Sequence, residues 1–192
     1  MSYSLARKEI FPFVAILGSL IIATIVTDAI LHLLDLIWVG RWLGIPGTLI
    51  ILLSFLYSLR KRKKITLGKP KILLALHEIM AWVGALMILV HAGIHIYTIL
   101  PWLALAAMLI NIISGMTGKY LLDRSRRFLA DKKSIYIKNG LSEQEADKKM
   151  FWDATAYDLM KKWRAIHIPI TLAFAALSLI HIFSILMFWQ WK

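Results

Sequence analysis

The chain has 192 residues, of which 59% are hydrophobic and none is cysteine, with a formal charge of +12 and a mean hydropathy of +0.69. That is too apolar for a soluble domain. The missing thiols exclude thiolate-held iron–sulfur clusters, covalently attached haem, disulfides and a cysteine nucleophile. A basic excess of this size reads first as membrane topology, not as affinity for nucleic acid.

The opening MSYSLARKEI is short and basic, and a first span is predicted from about Phe11 to Trp38. It reads as an uncleaved helix, because the apolar run is long and no small-x-small cleavage site follows it. Near its outer end Asp28, His32 and Asp35 stand at i, i+4 and i+7 on one face. They form either a quinone pocket or proton path, or simply a polar helix end at the interface. Gly40 to Pro46 is expected to turn the chain into a second span, from about Gly47 to Leu59. RKRKKITLGKPK follows, with seven cations and no acid. The third span lies within KILLALHEIMAWVGALMILVHAGIHIY, from Lys71 to Tyr97.

Pro101 separates that stretch from a fourth span ending near Leu122, which carries Asn111, Ser114, Gly115, Thr117 and Gly118; small residues of this kind permit close helix approach. From Asp123 to Arg164 the chain is polar. Asn139-Gly140 is a stop signal, and Ser142-Glu143-Gln144-Glu145 has capping-box spacing for a new helix. That helix places Ala146, Met150, Ala154, Tyr157 and Met160 on one side, expected to lie along the membrane face or against a partner. The fifth span runs from about Ile166 to Trp189, with Pro169 near its start.

The expected fold is all-α, a single integral-membrane bundle of five transmembrane helices over residues 1–192. An amphipathic cytoplasmic helix, within the 123–164 segment, precedes the fifth. Of the 23 Lys and Arg, 21 fall on one side of this topology and only Arg41 and Lys192 on the other. The positive-inside rule then sets the N-terminus in and the C-terminus out. A multi-pass protein of a prokaryotic plasma membrane is the expectation, with Trp38, Trp42, Trp102, Trp189 and Trp191 as an aromatic belt at the outer boundary.

Histidine is expensive to place in a membrane, and each instance there is a functional-site hypothesis. His77 and His91 are fourteen residues apart in the third span, and His167 and His181 repeat the interval in the fifth. Fourteen residues is nearly four helical turns, so each pair shares a face to within about 40° and is spaced by roughly 21 Å. The two spans run in the same direction. His77 then pairs with His167 at an inner level and His91 with His181 at an outer one, each pair clamping one haem iron axially. Two histidines per iron leave no site open for oxygen and suit electron transfer. Gly84, midway between His77 and His91, would let a porphyrin sit against the backbone; ordinary small-residue packing explains it as well. Arg164 is placed to pair with a propionate of the inner haem. His95, one turn beyond His91, is the alternative outer ligand or a hydrogen-bonding group at the rim. Glu78 points about 100° away from His77 and is expected to snorkel to the surface.

The stretches HEIMAWVGALMILVH and HIPITLAFAALSLIH resemble the dihaem membrane cytochromes b, in which each of two helices supplies two histidines at this spacing. Placement on the third and fifth spans is similar to the ferric-reductase-like transmembrane group, and five-span quinol-linked cytochrome b subunits are an equally close likeness. The resemblance implies two haem b groups and an electron-transfer subunit, with quinone a candidate ligand. Because no sixth span and no flavin or nicotinamide domain follows, it also implies a haem-carrying core, not a complete enzyme, served by a redox partner subunit.

Two other functions compete. One is a proton or metal-ion transporter whose histidines line the pathway. The other is a non-haem membrane anchor whose histidines hydrogen-bond between helices. The surplus of cations on the expected cytoplasmic side would steer an acidic partner or anionic lipid to that face, although topology alone accounts for it.

Overall fold

The α-helical content follows from long runs of Leu, Ile, Ala and Met, which favour helix strongly enough to carry an occasional internal Gly or Asn. The computed structural model describes residues 10–66, 68–94 and 99–188, and among these no strand is present. Five helical stretches are long and apolar enough to cross a bilayer: Phe11–Leu33, Ile37–Lys61, Pro70–Gly93, Ile99–Met116 and His167–Phe188. Each buries only 6% to 28% of its most apolar window within the chain. The chain divides into two compact units, Met1–Gly18 with Ala107–Ala176, and Ser19–Ala106 with Leu177–Lys192.

α1 (Phe11–Leu33), which begins in the first unit, ends in the second in a Schellman turn. Leu36 N–H donates to the Leu31 carbonyl at 2.8 Å and Asp35 N–H to that of His32 at 3.3 Å. Asp35 takes the left-handed position with φ of 54°, which a short polar side chain tolerates better than most. The chain therefore reverses at Leu34–Leu36 and not at the expected Gly40–Pro46, and Trp38 belongs to the second span. Three short helices, α2 (Ile37–Trp42), α3 (Gly44–Ser54) and α4 (Leu56–Lys61), make up that span.

Pro46 explains the first break. It has no N–H to offer the Trp42 carbonyl, so the helix yields at Leu43 without turning back. After α4, Lys63 sits at φ of 57° in a second Schellman turn, with Lys64 N–H on the Leu59 carbonyl at 3.0 Å. Pro70 then opens α5 (Pro70–Ile94) at a position where a missing N–H is harmless.

α3 and α5 pack backbone to backbone. A Cβ built on Gly84 would lie 3.0 Å from the Gly47 carbonyl oxygen, and one on Gly47 would lie 3.2 Å from that of Gly84. The seam is antiparallel. His77, Gly84 and His91, one heptad apart, meet Ser54, Gly47 and Arg41 respectively.

The first unit contains a helical hairpin. α6 (Ile99–Met116) passes through a π-helical turn (Thr117–Leu121) directly into α7 (Leu122–Lys138), since no Gly or Pro interrupts the chain between Lys119 and Asn139. Gly140, at φ of 85°, ends it. The return arm is α8 (Glu143–Lys149), α9 (Phe151–Ala165) and α10 (His167–Phe188), with only Ile166 between the last two. Contacts keep an antiparallel register, with Asn111 on Thr171, Ser114 on His167, Ser125 on Met160 and Lys132 on Asp153.

Leu121, Leu122 and Met160 form the hairpin's core, covered by Ile10, Phe13, Phe128, Ala156 and Tyr157. Burying each such side chain from water is worth about 1.5–3 kcal/mol. Ser125, fully buried, donates to Met160 Sδ at 3.6 Å. The Lys132–Asp153 pair bridges the arms at 2.6 Å, with each side chain only 14% exposed.

Two expectations change here. The polar segment is a run of helices, not one. The face of Ala146, Met150 and Met160 is also not free for a membrane or partner, because all three are buried within the chain. Phe151, Trp152, Leu159 and Trp163 are the large exposed apolar residues of α9.

The capping box is as expected. Ser142 N–H donates to Glu145 Oε2 at 2.9 Å and Glu145 N–H to Ser142 Oγ at 3.3 Å. The bond from Ser142 N–H, then that from its hydroxyl, hold the Glu145 carboxyl below its ordinary pKa. A depressed carboxylate contributes stability that is full above the ordinary pKa and lost as pH falls through the lowered one. We therefore expect amide protection at Ser142 and Glu145, corrected for intrinsic exchange, to drop in that acid window. The Glu145→Gln variant should show no such step; if it titrates like the parent, another group is responsible.

Candidate functional site

α5 is helical from Pro70 to Ile94, so it carries His77 and His91 along one face, as their spacing requires. α10 carries His167 as its first residue and His181 in the same unbroken helix. His167 thus stands at the very start of its apolar helix. All four rings are half-buried.

The chemistry lies in which ring nitrogen each uses. His77 Nδ1 is 3.1 Å from the Ser54 carbonyl oxygen. His91 Nδ1 is 2.9 Å from the Arg41 carbonyl oxygen. His167 Nδ1 is 3.2 Å from the Asn111 carbonyl oxygen and 2.9 Å from Ser114 Oγ, whose own O–H donates to that same carbonyl at 2.9 Å. A carbonyl can only accept, so Nδ1 is the protonated nitrogen in each ring. A neutral imidazole then carries its lone pair at Nε2. This is the tautomer that ligates a metal through Nε2 while a backbone carbonyl fixes the ring.

Helix breaks supply two of these acceptors. Arg41 lies in the last turn of α2 and Ser54 is the last residue of α3, so their carbonyls are among those a helix end leaves over. Tyr57, one turn beyond that second break, adds a tilted ring contact to His77 with centroids 5.5 Å apart. Thr171 Oγ1 donates to Asn111 Oδ1 at 2.7 Å, holding α10 on α6 beside His167. None of the acceptor positions was apparent from the sequence, because a backbone carbonyl has no residue signature. Pro46 was the one available signal.

Other expected site residues fare differently. Gly84 does not offer its open side to a cofactor. The space a Cβ would need there is filled by Ile51 Cγ1 at 2.7 Å and the Gly47 carbonyl at 3.0 Å, so its lack of a side chain serves helix approach. Glu78 does not extend to the surface either; it is half-buried with Oε1 shielded from solvent.

Asp28 and His32 are brought together. His32 Nδ1–H donates to the Asp28 carbonyl at 2.9 Å and lies 3.6 Å from Asp28 Oδ1. That Oδ1 is buried, and the carboxylate faces Gly93 of α5 at 3.8 Å from where a Cβ would stand. Asp35 is not part of this face, since α1 ends before it. His95, the Arg164 side chain, Trp189 and Trp191 lie outside the described residues. Trp38, Trp42 and Trp102 are exposed near helix ends. Among the described residues, no group of three or more His, Asp or Glu could hold a bare metal ion.

The five long apolar helices give the chain, all-helical among the described residues, the character of a multi-pass membrane protein. The chain matches no protein family, no curated protein and no solved structure.

Proposed function

We propose that the chain is a dihaem b-type cytochrome that moves electrons through or across a membrane, as the haem-carrying subunit of a larger redox complex. The observation that carries this reading is the uniform Nδ1–H···O=C bonding of His77, His91 and His167 to neighbouring helices. It presents Nε2 as the basic nitrogen on three of the four histidines picked out by the repeated interval, and His181 completes the set. The donor set fits haem, which needs two neutral imidazoles per iron and no further protein ligand.

Haem bound there would supply reversible one-electron exchange at iron. The protein's own part is to hold each ring in one tautomer and orientation, and to keep water from the rings. The orientation with the N-terminus inside, the aromatic belt and an acidic or membrane-bound redox partner at the basic face belong to the same proposal. So does a quinone or proton route at Asp28 and His32.

The same hydrogen bonds would also suit an anchor protein whose histidines only tie helices together. A pyridine-haemochrome assay on the purified chain separates the two. Two haems per chain with low-spin b-type bands are expected, and one haem or none rejects the proposal. A colourless protein that moves protons or metal ions across vesicles would favour the transporter reading instead.

A further inference from the structure

Two of the histidines rest on glycines of a neighbouring helix. A Cβ built on Gly44 would lie 2.8 Å from His91 Cδ2, 2.9 Å from Nε2 and 3.0 Å from Cε1. A point almost equidistant from three adjoining ring atoms is over the ring face, not at its Nε2 edge. Gly44 therefore lets α3 lie flat against the face of the imidazole. Arg41, three residues earlier in the chain, holds Nδ1 of the same ring at 2.9 Å.

In the other unit a glycine meets a ring edge: a Cβ on Gly115 would lie nearest His167 Cε1, at 3.0 Å, with Nδ1 at 3.5 Å and Nε2 at 3.9 Å. Asn111, four residues earlier, accepts from Nδ1 at 3.2 Å. In both cases a carbonyl fixes the tautomer and a glycine three or four residues later meets the same ring, across the break at Leu43 for His91 and within α6 for His167.

Resting on the haem reading above, we infer that Gly44 and Gly115 are positioning residues for the ligands His91 and His167. Each sets the plane of its imidazole and so the orientation and potential of the iron that ring binds. Neither glycine is required by its backbone, since both lie within helices. What they provide is space. At Gly44 the clash has no cheap relief, because the ring is tied at Nδ1 and cannot swing away without breaking its bond to Arg41. At Gly115 the Cε1 contact is looser and the neighbour needs to yield by only a few tenths of an ångström.

The test compares Gly44→Ala, Gly115→Ala and Gly18→Ala in the full-length protein. Gly18 is a control inside an apolar helix, where a Cβ would meet nothing within 4 Å. Haem per chain, the low-spin EPR signals and the two midpoint potentials are read for each. Gly44→Ala is expected to lose the His91-ligated haem, halving haem per chain, or to shift its EPR signal and potential while the other haem keeps both.

Gly115→Ala should move the signal and potential of the His167-ligated haem alone, with less loss of haem. Gly18→Ala should match the parent. Parent-like spectra and potentials in Gly44→Ala overturn the inference, as does an equal loss of both haems in all three variants. A parent protein without haem overturns the proposed function instead. Nitrogen NMR of the histidine rings then decides the contact itself: an unchanged His91 resonance in Gly44→Ala overturns it, and a lost Nδ1–H tautomer supports it.

Discussion

Replacing His91 by alanine should remove one of two haems and leave the other with its spectrum and potential unchanged, whereas His95→Ala should leave both. The effect is large because an axial imidazole has no substitute among the aliphatic neighbours on α5. His91 is the better ligand for two independent reasons. The interval from His77 equals that from His167 to His181. Its ring is also already held as the Nδ1–H tautomer by the Arg41 carbonyl. His91→Gln sharpens the test, because a glutamine amide can still donate to that carbonyl but cannot ligate iron through Nε2. If the histidines only tie helices, glutamine should be tolerated at every position. Should His95→Ala bleach a haem that survives His91→Ala, the register of the outer ligand is wrong by one turn.

Much of the architecture was readable from apolar runs, which is why five membrane-length helices appear where Leu, Ile and Ala dominate. What failed was punctuation. Gly40 and Pro46 look like a turn, but Pro46 is near the start of α3, where it breaks the hydrogen-bond ladder without reversing the chain. The reversal was left to Asp35, whose left-handed conformation a single residue does not announce.

The polar segment after Leu122 was expected to hold one amphipathic helix, starting at the capping box of Ser142, but it is helical from its beginning. It is helical because charge does not oppose a helix, and no residue from Lys119 to Lys138 breaks one. Met150 and Met160 looked like a docking face because their partners, α7 and the π turn, were not foreseen as helix.

The candidate site divides along the same line. Histidine identity and spacing are written in the sequence, so the four rings were evident from it. Their hydrogen-bond acceptors are backbone oxygens of Arg41, Ser54 and Asn111, positions marked only by where a helix breaks or a neighbour approaches. Glycines gave an ambiguous signal. The absence of a side chain shows that something comes close, but not whether it is a cofactor, a ring or another backbone.

Gly84 shows how that ambiguity can be resolved by experiment. Gly84→Ala is expected to destabilise the protein by about 1–3 kcal/mol, the range for overpacking a tight contact. Its new Cβ would stand 2.7 Å from Ile51 Cγ1 and 3.0 Å from the Gly47 oxygen. The loss should not stay local. His77 and His91 lie seven residues to either side of Gly84, and both bond across the same seam. Forcing α5 off α3 would therefore lengthen both bonds and lower the occupancy of both haems together.

Shortening the opposing side chain relieves the closest clash. The double variant Gly84→Ala with Ile51→Ala should accordingly be less destabilised than the sum of the two single changes, as expected for residues in contact. Denaturant unfolding in detergent, read alongside haem content, measures both quantities. A porphyrin lying on Gly84 would give the opposite pattern: one haem perturbed, stability nearly unchanged and no rescue from Ile51→Ala.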